Sequence, residues 1–215
     1  MADKNSTIPK KASEAVLVEC SPMPEGHPEV KGYAFDGDFD SEAFFRSFKT
    51  TGFQATNLGL AAETINKMIK WRPTQKTTET KENQKCTIFL GYTSNMISSG
   101  IRESLVYLVK HRKIDVIVTT GGGIEEDLIK CLAPHYIGDF NLDGKKLREK
   151  GHNRIGNLLV PNENYCKFED WIVPIIHRMQ DEQDQNGVVW TPSKVIDRLG
   201  KEIDDERSVC YWAFK

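Results

Sequence analysis

Short apolar segments alternate with helix-like stretches through the middle of the chain. The segments "CTIFLG" (86–91), "DVIVT" (115–119) and "RIGNLLV" (154–160) have the length and side chains of buried strands. A helix is predicted over "NMISSGIRESLVYLVKH" (95–111), and another over about 124–132. Strands that follow one another through helices pair in parallel with right-handed crossovers. The pattern therefore predicts an α/β fold, with a parallel sheet flanked by helices.

A polar arm and two helices precede this pattern. Residues 1–30 are rich in Pro, Lys, Ser and Glu, a composition that predicts an N-terminal arm. The segment "SEAFFRSFKTTGF" predicts a helix with Ser41 as its N-cap and with phenylalanines on one face. A second helix is predicted over about 54–71 because its apolar residues recur every three or four positions. The polar stretch 72–85 predicts an exposed loop before the first strand.

The charge balance provides no attraction for polyanions. Twenty-nine basic and 31 acidic residues give a net charge of −2 and a pI near 6.2, so nucleic acid is not an expected partner. The sequence has no run of about 18 apolar residues, and its N-terminus has no apolar signal segment, so neither a membrane span nor secretion is expected. These observations predict a cytoplasmic protein.

The cysteines and histidines are scattered along the chain. The cysteines are odd in number and show neither C-x-x-C spacing nor a close Cys/His pair, so we expect reduced thiols and no metal site. They are Cys20, Cys86, Cys131, Cys166 and Cys210. The histidines also occur singly, and a lone histidine is more often structural than catalytic, so none is assigned to catalysis. They are His27, His111, His135, His152 and His177.

Two loops follow neighbouring predicted strands and carry polar or glycine-rich sequences. The loop "GYTSNMISSG" places hydroxyls and an amide after strand 86–91. The loop "TTGGGIEEDL" places Gly121–Gly123 after strand 115–119 and just before Glu125 and Glu126. Ligands of open parallel sheets bind outside the carboxyl ends of the strands, where helix N-termini favour anions. The glycines are expected to permit positive φ and a close approach of a ligand to the backbone.

Each loop taken alone has a simpler structural explanation. Helix capping accounts for Ser and Asn in the first loop, and a tight turn accounts for the three glycines in the second. Carboxylates at a helix start gain about 0.3–1 kcal/mol each from the helix dipole. Together, however, the loops resemble a nucleotide site with a carboxylate for ribose hydroxyls, although the G-x-G-x-x-G fingerprint is absent. The second carboxylate exceeds what a ribose needs and suits a cationic substrate.

Five segments resemble deoxyhypusine synthase, in order, from about residue 32 to 215. They are "TTGFQATNLG", "CTIFLGYTSNMISSGIRE", "TTGGGIEEDLIKCLAP", "NRIGNLLVPNENYCKFEDW" and "WTPSKVIDRLGKEI". Members of that family are cytosolic, NAD-dependent and usually homotetrameric transferases with active sites at a dimer interface. They move the aminobutyl group of spermidine to a lysine of translation initiation factor 5A. The resemblance implies a Rossmann-like sheet, and one NAD-binding domain over residues 31–215 that lacks its C-terminal portion.

The resemblance also assigns roles to residues of the two loops. The cofactor-binding positions fall on Ser94, Asn95, Met96, Ile97, Ser98, Thr120, Gly121, Gly122 and Glu126. Glu125 and Glu126 match the acidic pair of the spermidine pocket, and Glu126 also reaches the cofactor ribose. Many relatives have Ala where this chain has Gly121, a change expected to loosen the turn without abolishing it.

The mechanism implied by the resemblance needs a nucleophilic lysine. NAD abstracts a hydride from spermidine, and an enzyme lysine captures the resulting imine. In the family that lysine lies in the C-terminal part, beyond the "YWAFK" segment, so no catalytic residue is expected in this chain. The lysines Lys110, Lys130, Lys194 and Lys201 do not match the lysine motif and are expected to be solvated.

The sequence leaves three functions open. The first is the N-terminal portion of a deoxyhypusine synthase, completed by another chain or present in a longer precursor. The second is a catalytically inactive regulatory paralogue that pairs with an active subunit, and the third is homospermidine synthase. Residues alone do not distinguish a processed fragment from a split gene product or a truncated chain.

Overall fold

The computed structural model describes residue 11, residues 22–73 and residues 84–215. The predicted arm, 1–30, and the predicted loop, 72–85, lie largely outside the described residues. The chain divides into two compact units, Met1–Gln75 and Lys76–Lys215.

The first unit contains the two predicted helices, α1 (Ser41–Thr51) and α2 (Phe53–Lys70). The predicted N-cap of α1 is wrong by one residue. Asp40 is the N-cap, and its carboxylate accepts hydrogen bonds from two backbone N–H groups of the first turn at 2.9 and 3.1 Å. Ser41 is the first helical residue because the aspartate before it provides a side-chain acceptor that satisfies free N–H groups.

Aromatic side chains pack along α1, as its sequence predicts. The ring of Phe44 lies 5.4 Å from that of Phe45 and 4.9 Å from that of Phe48, measured between centroids. The helices α1 and α2 approach closely at Gly59, where a Cβ would lie 2.5 Å from the backbone N of Lys49. Glycine therefore permits this helix contact.

The second unit contains a parallel pair of strands, β1 (Phe89–Tyr92) and β2 (Val116–Thr119). This pairing and the helices around it confirm the predicted α/β class, although β1 begins three residues later than expected. The single helix predicted between the strands is wrong. Two helices, α3 (Ser94–Ser98) and α4 (Ile101–Lys110), form instead, because Ser99 adopts an extended conformation and breaks the helix before Gly100.

The third parallel strand predicted over 154–160 is also wrong. That segment belongs to an antiparallel hairpin of β4 (His152–Ile155) and β5 (Leu158–Pro161). The two-residue turn between the strands starts at Gly156, whose φ of 59° favours glycine. A short strand, β3 (Tyr136–Ile137), pairs with the other edge of β5 and completes a separate sheet in the order β3-β5-β4.

Helices provide most of the packing in the second unit. They are α3, α4, α5 (Gly121–Leu132), α6 (Gly144–Glu149), α7 (Asn162–Asn186), α8 (Pro192–Ile203) and α9 (Val209–Phe214). One buried cluster comprises Leu128, Ile175, Met179, Leu199 and Cys210, and a second comprises Tyr92, Ile97, Leu105 and Val209. Full burial of one large aliphatic side chain stabilises a fold by about 1.5–3 kcal/mol. The helix α5 starts just after β2, and its residue Leu128 belongs to the first cluster. Burial of this side chain holds α5, and with it the N-terminus of the helix, in place.

Two predictions from composition concern residues that the structure describes. Cys86, Cys131, Cys166 and Cys210 are free thiols, and Cys20 lies outside the described residues. None of the helices in the described part of the chain combines the length and apolar character needed to span a bilayer.

Candidate functional site

Two helices begin directly after the two parallel strands. Tyr92 ends β1 two residues before α3, and Thr119 ends β2 two residues before α5. The strand ends lie side by side, because Tyr92 is paired with Thr119 and the Thr119 hydroxyl donates a 2.9 Å hydrogen bond to the Tyr92 carbonyl. The sequence therefore correctly predicts that the two loops meet at one edge of the sheet.

The helices at this edge begin without side-chain caps. Thr93 and Thr120 occupy the N-cap positions of α3 and α5, and neither accepts a capping hydrogen bond on its side chain. By contrast, Asp143 caps α6 and Thr191 caps α8 through their side chains. Uncapped N–H groups at a helix start favour an anion.

The glycines of the second loop lie in the first turn of α5. The expected positive-φ turn is wrong, because none of Gly121, Gly122 and Gly123 has a positive φ. The expected close approach of a ligand to this backbone stays a prediction. The structure gives a packing reason for two of the glycines: a Cβ on Gly123 would overlap the Thr119 hydroxyl, and one on Gly122 would lie 3.2 Å from the Cβ of Ser94. A Cβ on Gly121 would meet no atom within 4 Å, so this position is open to a ligand.

Glu126 joins the two loops through a buried hydrogen bond. Its side chain is 10% exposed, and the Ser98 hydroxyl donates to Oε2 over 3.2 Å. Burial raises the pKa of Glu126 above its ordinary value, while the Ser98 hydrogen bond opposes this shift and the neighbouring charge of Glu125 adds to it. A cation bound beside Glu126 would favour its ionised form.

His135, to which the sequence assigns no catalytic role, lies against Glu126. Its side chain is 4% exposed, and Nε2 lies 3.5 Å from Glu126 Oε2. Neither ring nitrogen has a hydrogen-bond partner in the described part of the chain. Burial lowers the pKa of His135, and the nearby charge of Lys130 lowers it further. No local sequence signal marks this contact, because it depends on how the chain turns back after α5.

Comparison with known proteins identifies the family. The deoxyhypusine synthase family model matches residues 43–215.

The chain belongs to the deoxyhypusine synthase family.

Its relatives are longer than the chain itself. The deoxyhypusine synthase of Musa acuminata is 59% identical over 199 residues, which cover 87% of this chain and 53% of that protein. That of Arabidopsis thaliana is 52% identical over 217 residues, which cover 95% of this chain and 57% of that protein. A crystal structure from Entamoeba histolytica, described by the same family name, matches with a TM-score of 0.63 and 35% identity over 86% of this chain and 60% of that chain. The chain thus spans slightly more than half the length of these deoxyhypusine synthase relatives.

The residues that the deoxyhypusine synthase resemblance assigns to the site differ in exposure. Ile97 is fully buried in the core, and neither its side chain nor its backbone is exposed. The exposed positions are Asn95, Thr120 and Gly121; the half-buried ones are Ser94, Met96, Gly122 and Glu125; the buried ones are Ile97, Ser98 and Glu126. Exposure therefore decreases from Thr120 and Gly121 at the surface to the buried carboxylate of Glu126.

The sequence-based prediction that Lys130 is solvated is wrong. Lys130 is half-buried, and Nζ donates 2.9 Å hydrogen bonds to the carbonyls of Ile97 and Ser99. Burial lowers the pKa of Lys130. Its ammonium satisfies carbonyl groups at the end of α3, where no helical partner is available. Lys110, Lys194 and Lys201 are exposed, as predicted.

Asp127 anchors the site to the rest of the unit and was also missed. Its side chain is fully buried. Oδ1 accepts hydrogen bonds from Arg102 Nε at 2.9 Å and the Val209 N–H at 3.1 Å, and Oδ2 accepts from the Ser208 hydroxyl at 2.6 Å and the Cys210 N–H at 3.0 Å. One carboxylate thereby connects α4, α5 and the start of α9, which holds Glu126 on a rigid helix.

Proposed function

We propose that this chain supplies part of the NAD and spermidine site of a cytoplasmic deoxyhypusine synthase. The whole enzyme transfers the aminobutyl group of spermidine to a lysine of translation initiation factor 5A. The observation that carries the proposal is the buried hydrogen bond between Ser98 and Glu126, which brings two loops together around one carboxylate. Membership of the family supports the choice of reaction.

The residues at the sheet edge fit the charged and polar parts of NAD. Uncapped N–H groups at the start of α5 and the side chains of Ser94 and Asn95 suit a pyrophosphate. Gly121 lets the ligand approach the backbone because no other group occupies the space beside it. We assign the backbone of Met96, Thr120 and Gly122 to the same cofactor cradle and Glu126 to the ribose, with Ile97 supporting the cradle from the core. When bound, NAD supplies a hydride acceptor.

The two carboxylates fit the ammonium groups of spermidine. Glu125 is half-buried and Glu126 is buried, so an ammonium between them would be partly shielded from water. The raised pKa of Glu126 means that ionising this carboxylate has a free-energy cost in the ligand-free protein. An ammonium nearby offsets that cost, because an opposite charge favours the ionised carboxylate.

We place the nucleophilic lysine outside these 215 residues. Lys130 contacts the site loops, but its ammonium donates to two backbone carbonyls and has a structural role. We further propose that residues 31–215 form one domain that is completed by a C-terminal portion, within a homotetramer or a hetero-oligomer.

Purification of the tagged chain from its native cell tests this function. Intact mass identifies co-purifying polypeptides, and labelled spermidine measures aminobutyl transfer to translation initiation factor 5A with added NAD. We expect transfer by the assembled complex and none by the isolated chain. Formation of deoxyhypusine by the isolated chain would show that its nucleophile lies within residues 1–215.

Substitution of the carboxylates tests the site within that complex. Glu126→Gln keeps the size of the side chain and removes its charge, so we expect spermidine affinity to fall at least about tenfold. Glu163→Gln is the matched control, because Glu163 is exposed and pairs only with Lys167 among the described residues. Equal spermidine affinity in the two variants would assign Glu126 a purely structural role.

A further inference from the structure

The ring of His135 is buried and forms no hydrogen bond with the residues that the structure describes. Its side chain is 4% exposed, and both ring nitrogens lack partners within residues 22–73 and 84–215. A buried polar group without a partner destabilises a fold. A polar ring in such a place suggests that a partner becomes available in another state of the protein. The nearest carboxylate oxygen is Glu126 Oε2, at 3.5 Å from Nε2.

Two polar groups lie near the same oxygen of the Glu126 carboxylate. The Ser98 hydroxyl and the His135 ring both face Oε2, at 3.2 and 3.5 Å. The other oxygen, Oε1, accepts no hydrogen bond from any residue that the structure describes. The distance of 3.5 Å from His135 exceeds that of a formed N–H···O bond by a few tenths of an ångström. Polar contacts of ligand-free sites often lengthen in this way and tighten on binding.

Titratable groups from several elements act on this pair. Glu125 and Lys130 lie on α5 itself, Arg102 lies on α4, and Tyr165 lies on α7. Burial, with Lys130 and Arg102 nearby, opposes a positive charge on His135 and lowers its pKa, while the backbone carbonyl of Ser98 acts on the ring in the opposite direction. Burial and both carboxylates raise the pKa of the Tyr165 hydroxyl, which places that group in the same electrostatic environment. The histidine is therefore a neutral ring that can donate one N–H to the carboxylate.

We propose that His135 is a positioning residue for the carboxylate of Glu126. The neutral ring donates Nε2–H to Oε2 when Glu126 ionises against a cationic amine, and the Ser98 hydroxyl donates to the same oxygen. Oε1 is then held toward the ammonium of the ligand. The identity of the amine as spermidine rests on the proposed function, whereas the contact between ring and carboxylate does not depend on it.

Nitrogen-15 NMR of the histidine-labelled 215-residue chain tests the contact. We expect His135 to carry its proton on Nε2, and its Nε2–H resonance to shift as Glu126 titrates. The same resonance should not respond in Glu126→Gln, while Glu125→Gln should retain the response. A proton on Nδ1, or an identical response in wild type and Glu126→Gln, would overturn the proposal.

Spermidine binding to the assembled complex tests the consequence. His135→Leu removes the donor, so the dissociation constant for spermidine should rise about tenfold. His135→Gln keeps an N–H donor at similar reach, so its constant should stay within about threefold of wild type. Unchanged affinity in His135→Leu would refute the positioning role and leave the proposed function intact. Absence of spermidine binding by the wild type would refute the proposed function, while the NMR experiment would still test the contact.

Discussion

The substitution Asp127→Asn should strongly destabilise the second unit. The carboxylate is fully buried and accepts four hydrogen bonds, two on each oxygen. Asparagine has one acceptor oxygen, and its NH₂ group would face two of the four donors. If the oxygen stays with Arg102, the NH₂ group faces Ser208 and the Cys210 N–H. The Ser208 hydroxyl can rotate, but the backbone N–H loses its acceptor.

The expected loss of unfolding free energy in Asp127→Asn comes from the lost charge as well as from the lost hydrogen bonds. Arg102 is 3% exposed and would remain buried without a counter-charge on its partner. Removing one partner of a buried ion pair destabilises a protein by about 3–5 kcal/mol. The whole free energy of unfolding of a domain is roughly 5–15 kcal/mol. At about 2 kcal/mol per molar urea, the midpoint of unfolding should fall by about 2 M.

Urea unfolding followed by tryptophan fluorescence measures this loss. Trp171, Trp190 and Trp212 lie in the second unit and report on its unfolding. Asp143→Asn makes the same chemical change at an exposed N-cap, where Asn and Asp are nearly equivalent, and its midpoint should match the wild type. A loss below about 1 kcal/mol in Asp127→Asn would refute the reasoning. If that variant does not fold, Ser208→Ala removes one donor to Asp127 and the side-chain cap of α9, and should show a smaller, measurable loss.

Three further substitutions test the site. Gly123→Ala should lower the free energy of unfolding by about 1–3 kcal/mol, and with it the melting temperature, because its Cβ would overlap Thr119. Gly121→Ala should leave the melting temperature unchanged, and equal melting temperatures of the two variants would contradict the packing. Glu126→Gln should stabilise the protein near pH 7, because the raised pKa of Glu126 makes the wild type lose stability as pH rises through that pKa. Thermal unfolding should show the difference in melting temperature between variant and wild type disappearing near about pH 4. A difference that is the same at all pH values would exclude this cause. Lys130→Met removes donors from two carbonyls and should destabilise by about 1–2 kcal/mol, and an unchanged melting temperature would refute that role.

Local patterns in the sequence predict much of the fold. The helices α1 and α2 and the strands β1 and β2 follow from apolar spacing, which depends on residues only a few positions apart. Parallel pairing follows because helices separate β1 from β2, and it places the two loops at the same edge. The hairpin at Gly156 had a local signal as well, since Gly-Asn favours a two-residue turn, but the apolar run around it resembled one strand.

The sequence alone does not predict the conformation of Gly121–Gly123, which depends on tertiary packing. Three glycines in succession suggest a turn, because glycine is a poor helix former. Here they begin α5, and overlap with Thr119 explains why a side chain is disfavoured at Gly123. That neighbour belongs to the preceding strand, so its position depends on how strand and helix pack.

The sequence by itself determined the family, the parallel sheet edge and the candidate ligand-binding loops, because these follow from local order along the chain. Only the tertiary structure placed His135 beside Glu126 and surrounded Asp127 with donors from residues up to 83 positions away. The same holds for the raised pKa of Glu126, since burial depends on which distant segments cover the carboxylate. Spacing along a chain sets local conformation, whereas contact and desolvation arise when distant segments pack together.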